Sequence, residues 1–255
     1  MVGSSIHGEL DEVWKRAKKI SEGEYMSVYH RKGLFRLLQT SIDSLDDVTK
    51  ERFLDLGLFP RNRRICVDAL LDIWVYVRKL RRHDACDILS ELASKSLLNL
   101  TSNQRGSASI SYRNASELYF SQHNVLRNLA LYLGHLDNIV HSKRLVISRK
   151  DSNLLAKGEL LGDRAFNTQI LSILTGPMAE NDWNGMTFPE TEALLLHFTS
   201  TDYFLPPFLK SMKKLKVLMV FNCGAKKATV KGLDILSSLT QLKECPHGEI
   251  DFTPC

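Results

Sequence analysis

The chain has 255 residues, of which 44% are hydrophobic and 25% charged, and a formal net charge of +5. These proportions exclude a disordered or fibrous polymer and describe an ordinary globular chain of one or two domains. At this length about three quarters of the unfolded surface can be buried, so neither disulfides nor a structural metal is needed for stability.

The five cysteines, Cys66, Cys86, Cys223, Cys245 and Cys255, are scattered, odd in number and never spaced CxxC. That is the pattern of reduced thiols in a cytoplasmic or nuclear protein. Residues 1–19 contain no apolar signal core, and no stretch reaches the ~18 apolar residues a membrane span needs. Direct membrane insertion is therefore not expected, and the sequons at Asn99 and Asn114 read as accidental. Arg61, Arg63, Arg64 and Arg78, Lys79, Arg81, Arg82 form basic clusters that are candidates to meet nucleic-acid phosphates. No aromatic residues interleave with them, however, and basic residues also gather at helix C-termini, where they complement the dipole. Nucleic-acid binding is thus the alternative reading and not the main one.

Along the chain, Leu34, Leu38, Ile42 and Leu45 recur at helical spacing. Asp46 and Asp47 offer an N-cap for a second helix through Phe53 and Leu54. After Pro60 and the polar run 61–64, Val67, Leu70, Leu71, Trp74 and Val77 make the buried stripe of a third helix, with Asp68, Asp72, Arg78 and Lys79 facing elsewhere. A fourth helix is predicted over 84–96. Leu98–Leu100 and Ile110–Tyr112 then alternate around a polar turn at 101–107, predicting a β-hairpin. Val125, Leu129, Leu133 and Leu136 restore a helical stripe, with Ser121 available as its cap. Short helices followed by a small hairpin outline a winged helix.

Beyond the polar stretch 142–157 the pattern becomes a repeat. Leu215, Leu218, Val220 and Cys223 fit the frame LxxLxLxx[N/C] of a leucine-rich repeat. The same frame recurs 24 residues earlier at Leu194 and Leu196 and 24 residues later at Leu239 and Leu242, then fails at Glu244. The expected fold is an α-helical winged-helix domain (34–141), a linker (142–164) and an α/β leucine-rich-repeat solenoid (165–243), with a divergent tail at 244–255.

Several segments together resemble the plant helper NLR immune receptors whose full-length members begin with a four-helix domain named for powdery-mildew resistance. The residues that carry this are Phe53-Leu54-Asp55-Leu56-Gly57-Leu58-Phe59-Pro60, Asp72-Ile73-Trp74-Val75, Ser121-Gln122-His123-Asn124-Val125-Leu126-Arg127 and Asp202-Tyr203-Phe204-Leu205-Pro206-Pro207-Phe208. They are collinear with that family, and the look is of its N-requirement-gene group, as an N-terminally truncated member. The resemblance implies that residues 1–33 are a remnant of the helical domain that precedes the winged helix. It implies, further, that His123 sits where the family's histidine touches the ADP phosphates, with Asn124 in place of the family's aspartate. A GxxxxGK[ST] phosphate loop is absent from the sequence, so no ADP or ATP cofactor and no catalysis are expected. Asp46-Asp47 does not follow an apolar strand and is no Walker B pair. His83 and Cys86 have only an HxxC spacing, too little for a zinc site. The function implied is a non-catalytic interaction module in plant defence, modulating or competing with full-length helper NLRs. Its partners would be those receptors and their lipase-like immune regulators. A truncated product without its own function is the remaining alternative.

Overall fold

The computed structural model describes residues 42–61, 63–102, 117–134, 143–148, 166–176 and 187–243. The expectations for 1–33, for Leu34 and Leu38, for Ile110–Tyr112, for Leu136 and for the tail 244–255 lie outside the described residues.

The first helix, α1, runs Asp47–Leu56 and is capped as its sequence dictates. Asp46 holds an extended backbone, and its carboxylate accepts the Thr49 N–H at 2.8 Å and the Thr49 hydroxyl at 3.0 Å. The short strand β1, Ile65–Cys66, leads into α2, Val67–Asp72, which continues as a π-helical turn over Ile73–Val77. That turn ends with the Leu80 N–H reaching back to the Trp74 carbonyl at 3.0 Å, which places Lys79 at φ 61°. Helix α3, Arg82–Ser94, ends in the same way. The Leu97 N–H bonds the Leu92 carbonyl at 2.9 Å, and Ser96 takes φ 58°. A side chain in this left-handed region is strained, whereas glycine is not. Ser96→Gly is expected to raise stability by about 1 kcal/mol in chemical denaturation, and a loss of stability would show that the serine side chain has another role.

Strands β2, Asn99–Ser102, and β3, Leu118–Ser121, complete a three-stranded antiparallel sheet in the order β1-β3-β2. All four residues of β2 pair with β3, from Asn99 opposite Ser121 to Ser102 opposite Leu118. Leu118 and Phe120 supply the buried face of this pair. Ser121 belongs to β3 and not to a cap. Helix α4, Asn124–Gly134, starts instead from His123, whose carbonyl accepts the Arg127 N–H at 3.0 Å.

The second half is a parallel sheet in the order β4-β5-β6-β8, made of Arg144–Ser148, Ile170–Thr175, Ala193–Phe198 and Val217–Asn222. Leu194 and Leu196 lie opposite Leu218 and Val220, so the 24-residue sequence period is the strand-to-strand register. The range 142–164, read as a linker, carries β4 and so contributes to the sheet: Leu145 and Val146 pair with Leu171 and Ser172. Its polar composition comes from flanking residues, while the strand itself is Arg-Leu-Val-Ile-Ser. A small parallel pair, β7 (Asp202–Phe204) with β9 (Thr229–Lys231), and 3-10 turns at Pro207–Ser211 and Leu233–Ser238 return the chain behind the sheet.

Strand alternation gives the sheet two buried faces. Leu171, Ile173, Leu194, Leu196 and Leu218 pack against the return segments through Phe188, Phe208, Leu209 and Met212. Ile170, Ala193, Leu195, Val217 and Met219 join the core of the helical half, with Phe53, Trp74 and Leu126. One face of the sheet therefore shares a hydrophobic core with the helical half, and the other face is buried in a second core of its own.

At the end of β8 the buried polar residue is Asn222, beside the half-buried Cys223 that the sequence frame expects at its [N/C] position. Asn222 is 1% exposed, donates to the Lys226 carbonyl at 2.7 Å and accepts the Gly224 N–H at 2.9 Å. Gly224 is required by contact, since a Cβ there would stand 2.9 Å from the Thr199 carbonyl oxygen. Asn222→Ala is expected to cost about 1.5 kcal/mol by leaving both backbone groups unpaired, measured as a lower denaturant midpoint.

Candidate functional site

The chemistry of this molecule concentrates in the seam where the helical half meets the parallel sheet. Its centre is Asp55, in the last turn of α1 and 0% exposed. One carboxylate oxygen accepts Arg78 Nη2 at 2.8 Å and Arg144 Nε at 2.5 Å, and the other accepts Arg78 Nε at 3.3 Å, with Arg52 Nε at 3.6 Å. Arg144, on β4, also donates to the Glu51 carbonyl at 2.6 Å and to its carboxylate at 2.8 Å. One helix carboxylate thus gathers a cation from its own helix, one from the end of the π turn and one from the first strand of the sheet. Burial works against the charged Asp55, but Arg144, Arg78 and Arg52 outweigh it and hold its pKa at about 2. Arg78, expected from the sequence to face away from the buried stripe, has a side chain only 6% exposed and completes the ion pair.

From Arg78 the network continues along the sheet. Arg78 Nη1 donates to Gln169 Oε1 at 2.5 Å, Gln169 Nε2 to Glu192 Oε1 at 3.0 Å, and Lys216 Nζ to Glu192. Gln169, Glu192 and Lys216 are the residues immediately before β5, β6 and β8, so successive strand starts line up to build this ladder.

A second contact crosses the seam at Ser172 and His197. The Ser172 hydroxyl donates to the Leu58 carbonyl at 2.7 Å, and His197 Nε2 lies 3.1 Å from the same Ser172 oxygen. With the serine proton given to Leu58, the imidazole is the donor at Nε2 and its Nδ1 is a bare acceptor. Nδ1 is buried and has no hydrogen-bond partner among the described residues. The ring stacks on Phe221 at 4.9 Å between centroids, 8° between planes. Burial first, and then the Arg127 guanidinium, push the His197 pKa down to about 3, so the ring is neutral at physiological pH. Arg127 is itself buried on α4 and donates to the Phe59 carbonyl at 2.6 Å. Desolvation, then Arg61, lower its pKa to about 10, which leaves it charged. Phe59 meets Phe120 of β3 edge-on at 5.1 Å and Phe221 of β8 at 6.2 Å, so one residue touches both sheets.

His123, the candidate ADP contact, is exposed at the start of α4, and its Nδ1 accepts the Val125 N–H at 3.3 Å. One exposed imidazole already serving as a helix cap does not by itself make a nucleotide site, and no role for ADP or ATP follows from it. His83 lies against Asp84 at 3.1 Å, and Cys86 is buried with its pKa raised by burial. The atoms that converge within 4.8 Å are those of His83, Asp84 and Asp87, and Asp84 is already bonded bidentately by Arg81 at 2.8 and 3.0 Å. Much of the basic run 78–82 is neutralised internally in the same manner: Arg78 by Asp55, Arg81 by Asp84, and Arg82 by Asp68 and Asp72. Near the other cluster, Arg63 Nη2 donates to the Cys223 carbonyl at 2.5 Å and Arg64 covers the Tyr119 ring at 4.9 Å.

The sequence did not single out Asp55, Arg144, Ser172 or His197 as a site. The one available signal was Asp55, a lone carboxylate within the apolar run 53–59, where an unpaired charge would be too costly to bury. Among the described residues no helix is long and apolar enough to cross a membrane.

No protein-family model matches the chain. It is similar to several curated proteins of Arabidopsis thaliana. Over 245 residues, 95% of this chain, it is 37% identical to the probable disease resistance protein At4g33300, of which it covers 30%. Over the same share of this chain it is 34% identical to the putative disease resistance protein At5g47280, covering 39% of it, and 31% identical to disease resistance protein ADR1, covering 31%. The chain thus spans about a third of the length of these relatives. Along nearly its whole length it is homologous to a segment of plant disease resistance proteins.

Proposed function

We propose that the chain acts in plant defence as a non-catalytic interaction module of the NLR type, in which a winged-helix unit is clamped onto the first leucine-rich repeats. The observation that carries this reading is the Asp55 clasp. A carboxylate from the helical half, buried beneath arginines from both halves, holds together two units that the sequence pattern separates. A three-stranded antiparallel sheet among short helices supports the winged-helix assignment, and the 24-residue offset between the parallel strands β6 and β8 supports the repeat. Homology to disease resistance proteins supplies the defence context. The partners in this reading are full-length helper receptors and their lipase-like regulators, met through surfaces that the clasp keeps in fixed relation.

Coimmunoprecipitation of the tagged 255-residue chain from immune-activated leaf tissue tests the reading. Recovery of those receptors or regulators, reduced by opening the clasp with Asp55→Asn, is the expected result. Equal recovery of chaperones alone by both forms would refute it.

A further inference from the structure

We infer that Arg78 couples the Asp55 clasp to the ladder along the sheet, so that the seam closes and opens as one cooperative element and not as two local contacts. Arg78 is the residue shared by both. Its Nε and Nη2 edge grips Asp55 at 3.3 and 2.8 Å, while Nη1 on its other side donates to Gln169 at 2.5 Å. Gln169 passes the connection to Glu192, and Glu192 to Lys216, so five side chains alternate donor and acceptor from α1 to the start of β8.

Three features make this a coupling and not a list of neighbours. The guanidinium is planar and rigid, so it cannot turn toward one partner without turning from the other; a lysine ammonium offers a single point charge and no such constraint. Arg78 is also fixed by its backbone: its N–H bonds the Ile73 carbonyl at 3.2 Å, closing the π turn. Finally, the ladder residues share backbone rungs. The Ala193 N–H bonds the Gln169 carbonyl at 3.2 Å, and the Val217 N–H bonds the Glu192 carbonyl at 3.1 Å. A shift of Arg78 off Gln169 therefore acts on the residues from which β6 and β8 begin. Energetic coupling of this kind needs a contiguous network with shared members, which the seam supplies. The inference concerns the isolated chain and does not depend on the identity of any partner.

Amide hydrogen exchange on four forms tests it: the parent chain, Glu192→Gln, Arg78→Lys, and the two combined. Glu192→Gln alters a half-buried residue just before the central strand β6 and is expected to leave the chain folded. In the parent it should speed exchange of the Phe53 and Leu56 amides in α1, across the seam, by about tenfold. In the Arg78→Lys background the same change should move those amides by less than about twofold, while still affecting Val217. Exchange in α1 that is unchanged by Glu192→Gln in the parent, or raised equally in both backgrounds, would overturn the coupling. A companion measurement, Asp55→Asn read at Val217 in the parent and in the Arg78→Lys background, runs the coupling in the opposite direction: exchange at Val217 should rise clearly more in the parent than in the Arg78→Lys background. Failure of this cycle with partner capture intact would remove the coupling and leave the interaction module standing.

Discussion

Asp55→Asn is expected to lower stability by about 3–5 kcal/mol, because it leaves buried arginines without their common counter-charge. The magnitude follows from the environment. Arg52, Arg78 and Arg144 have side chains 8%, 6% and 7% exposed around a fully buried carboxylate. With the charge removed, Glu51 remains for Arg144, but its carboxylate is 35% exposed, and Arg52 Nε already lacks a hydrogen-bond partner among the described residues. An exposed pair such as Lys214 with Glu190 gives the control: Glu190→Gln should cost less than about 1 kcal/mol. Urea unfolding of the three forms at neutral pH measures both. The Asp55 contribution is present above the ordinary carboxylate value of 3.8 and fades only as pH falls toward about 2. The difference between parent and variant should accordingly be flat from neutrality down to about pH 4.

The second large effect is acid sensitivity at His197. Its pKa is lowered from 6.5 to about 3, so the unfolded chain takes up a proton that the folded chain refuses. Stability attributable to the neutral ring is complete above 6.5 and is lost progressively as pH falls from there toward 3. At pH 5 the loss amounts to about 2 kcal/mol, from one and a half pH units at about 1.4 kcal/mol each. His197→Phe should abolish that part. A phenyl ring preserves the stack on Phe221 and eliminates the bare Nδ1, while the Ser172 hydroxyl keeps its bond to Leu58. At pH 7 the variant should be within about 1 kcal/mol of the parent, and between pH 7 and 5 it should lose about 2 kcal/mol less. Identical pH profiles would mean that the ring is solvated and titrates in the folded chain.

What could be read from the sequence was what short-range chemistry controls. The Asp46 cap, the helical stripe Val67–Leu70–Leu71–Trp74 and the strand positions Leu194, Leu196, Leu218 and Val220 follow from local spacing alone. The pairing of β2 with β3 across residues 103–117 is harder to read, because period-two alternation does not say which alternating segments pair. The burial of Arg78 and Arg144 is hidden in the sequence for another reason. A pattern of apolar residues assigns charged ones to solvent by default, and only the approach of the π turn's end and of β4 to the end of α1 converts two polar positions into buried partners of Asp55. His197 alternates correctly within its strand, but whether that face meets water or protein depends on the helical half packed against it. The residues at the seam are those whose environment is made by the long-range fold.

The measurement that bears most directly on the clasp is native-state hydrogen exchange of Asp55→Asn beside the parent, followed at Leu70 and Trp74 in the helical half and at Leu171, Leu194 and Leu218 in the sheet. All five residues are essentially buried in the parent. A clasp that makes one unit of two halves predicts a common opening free energy in both, falling together by about 3–5 kcal/mol in the variant. Opening energies that differ between the halves in the parent, with only the helical half responding to the substitution, would show two independent units and contradict it.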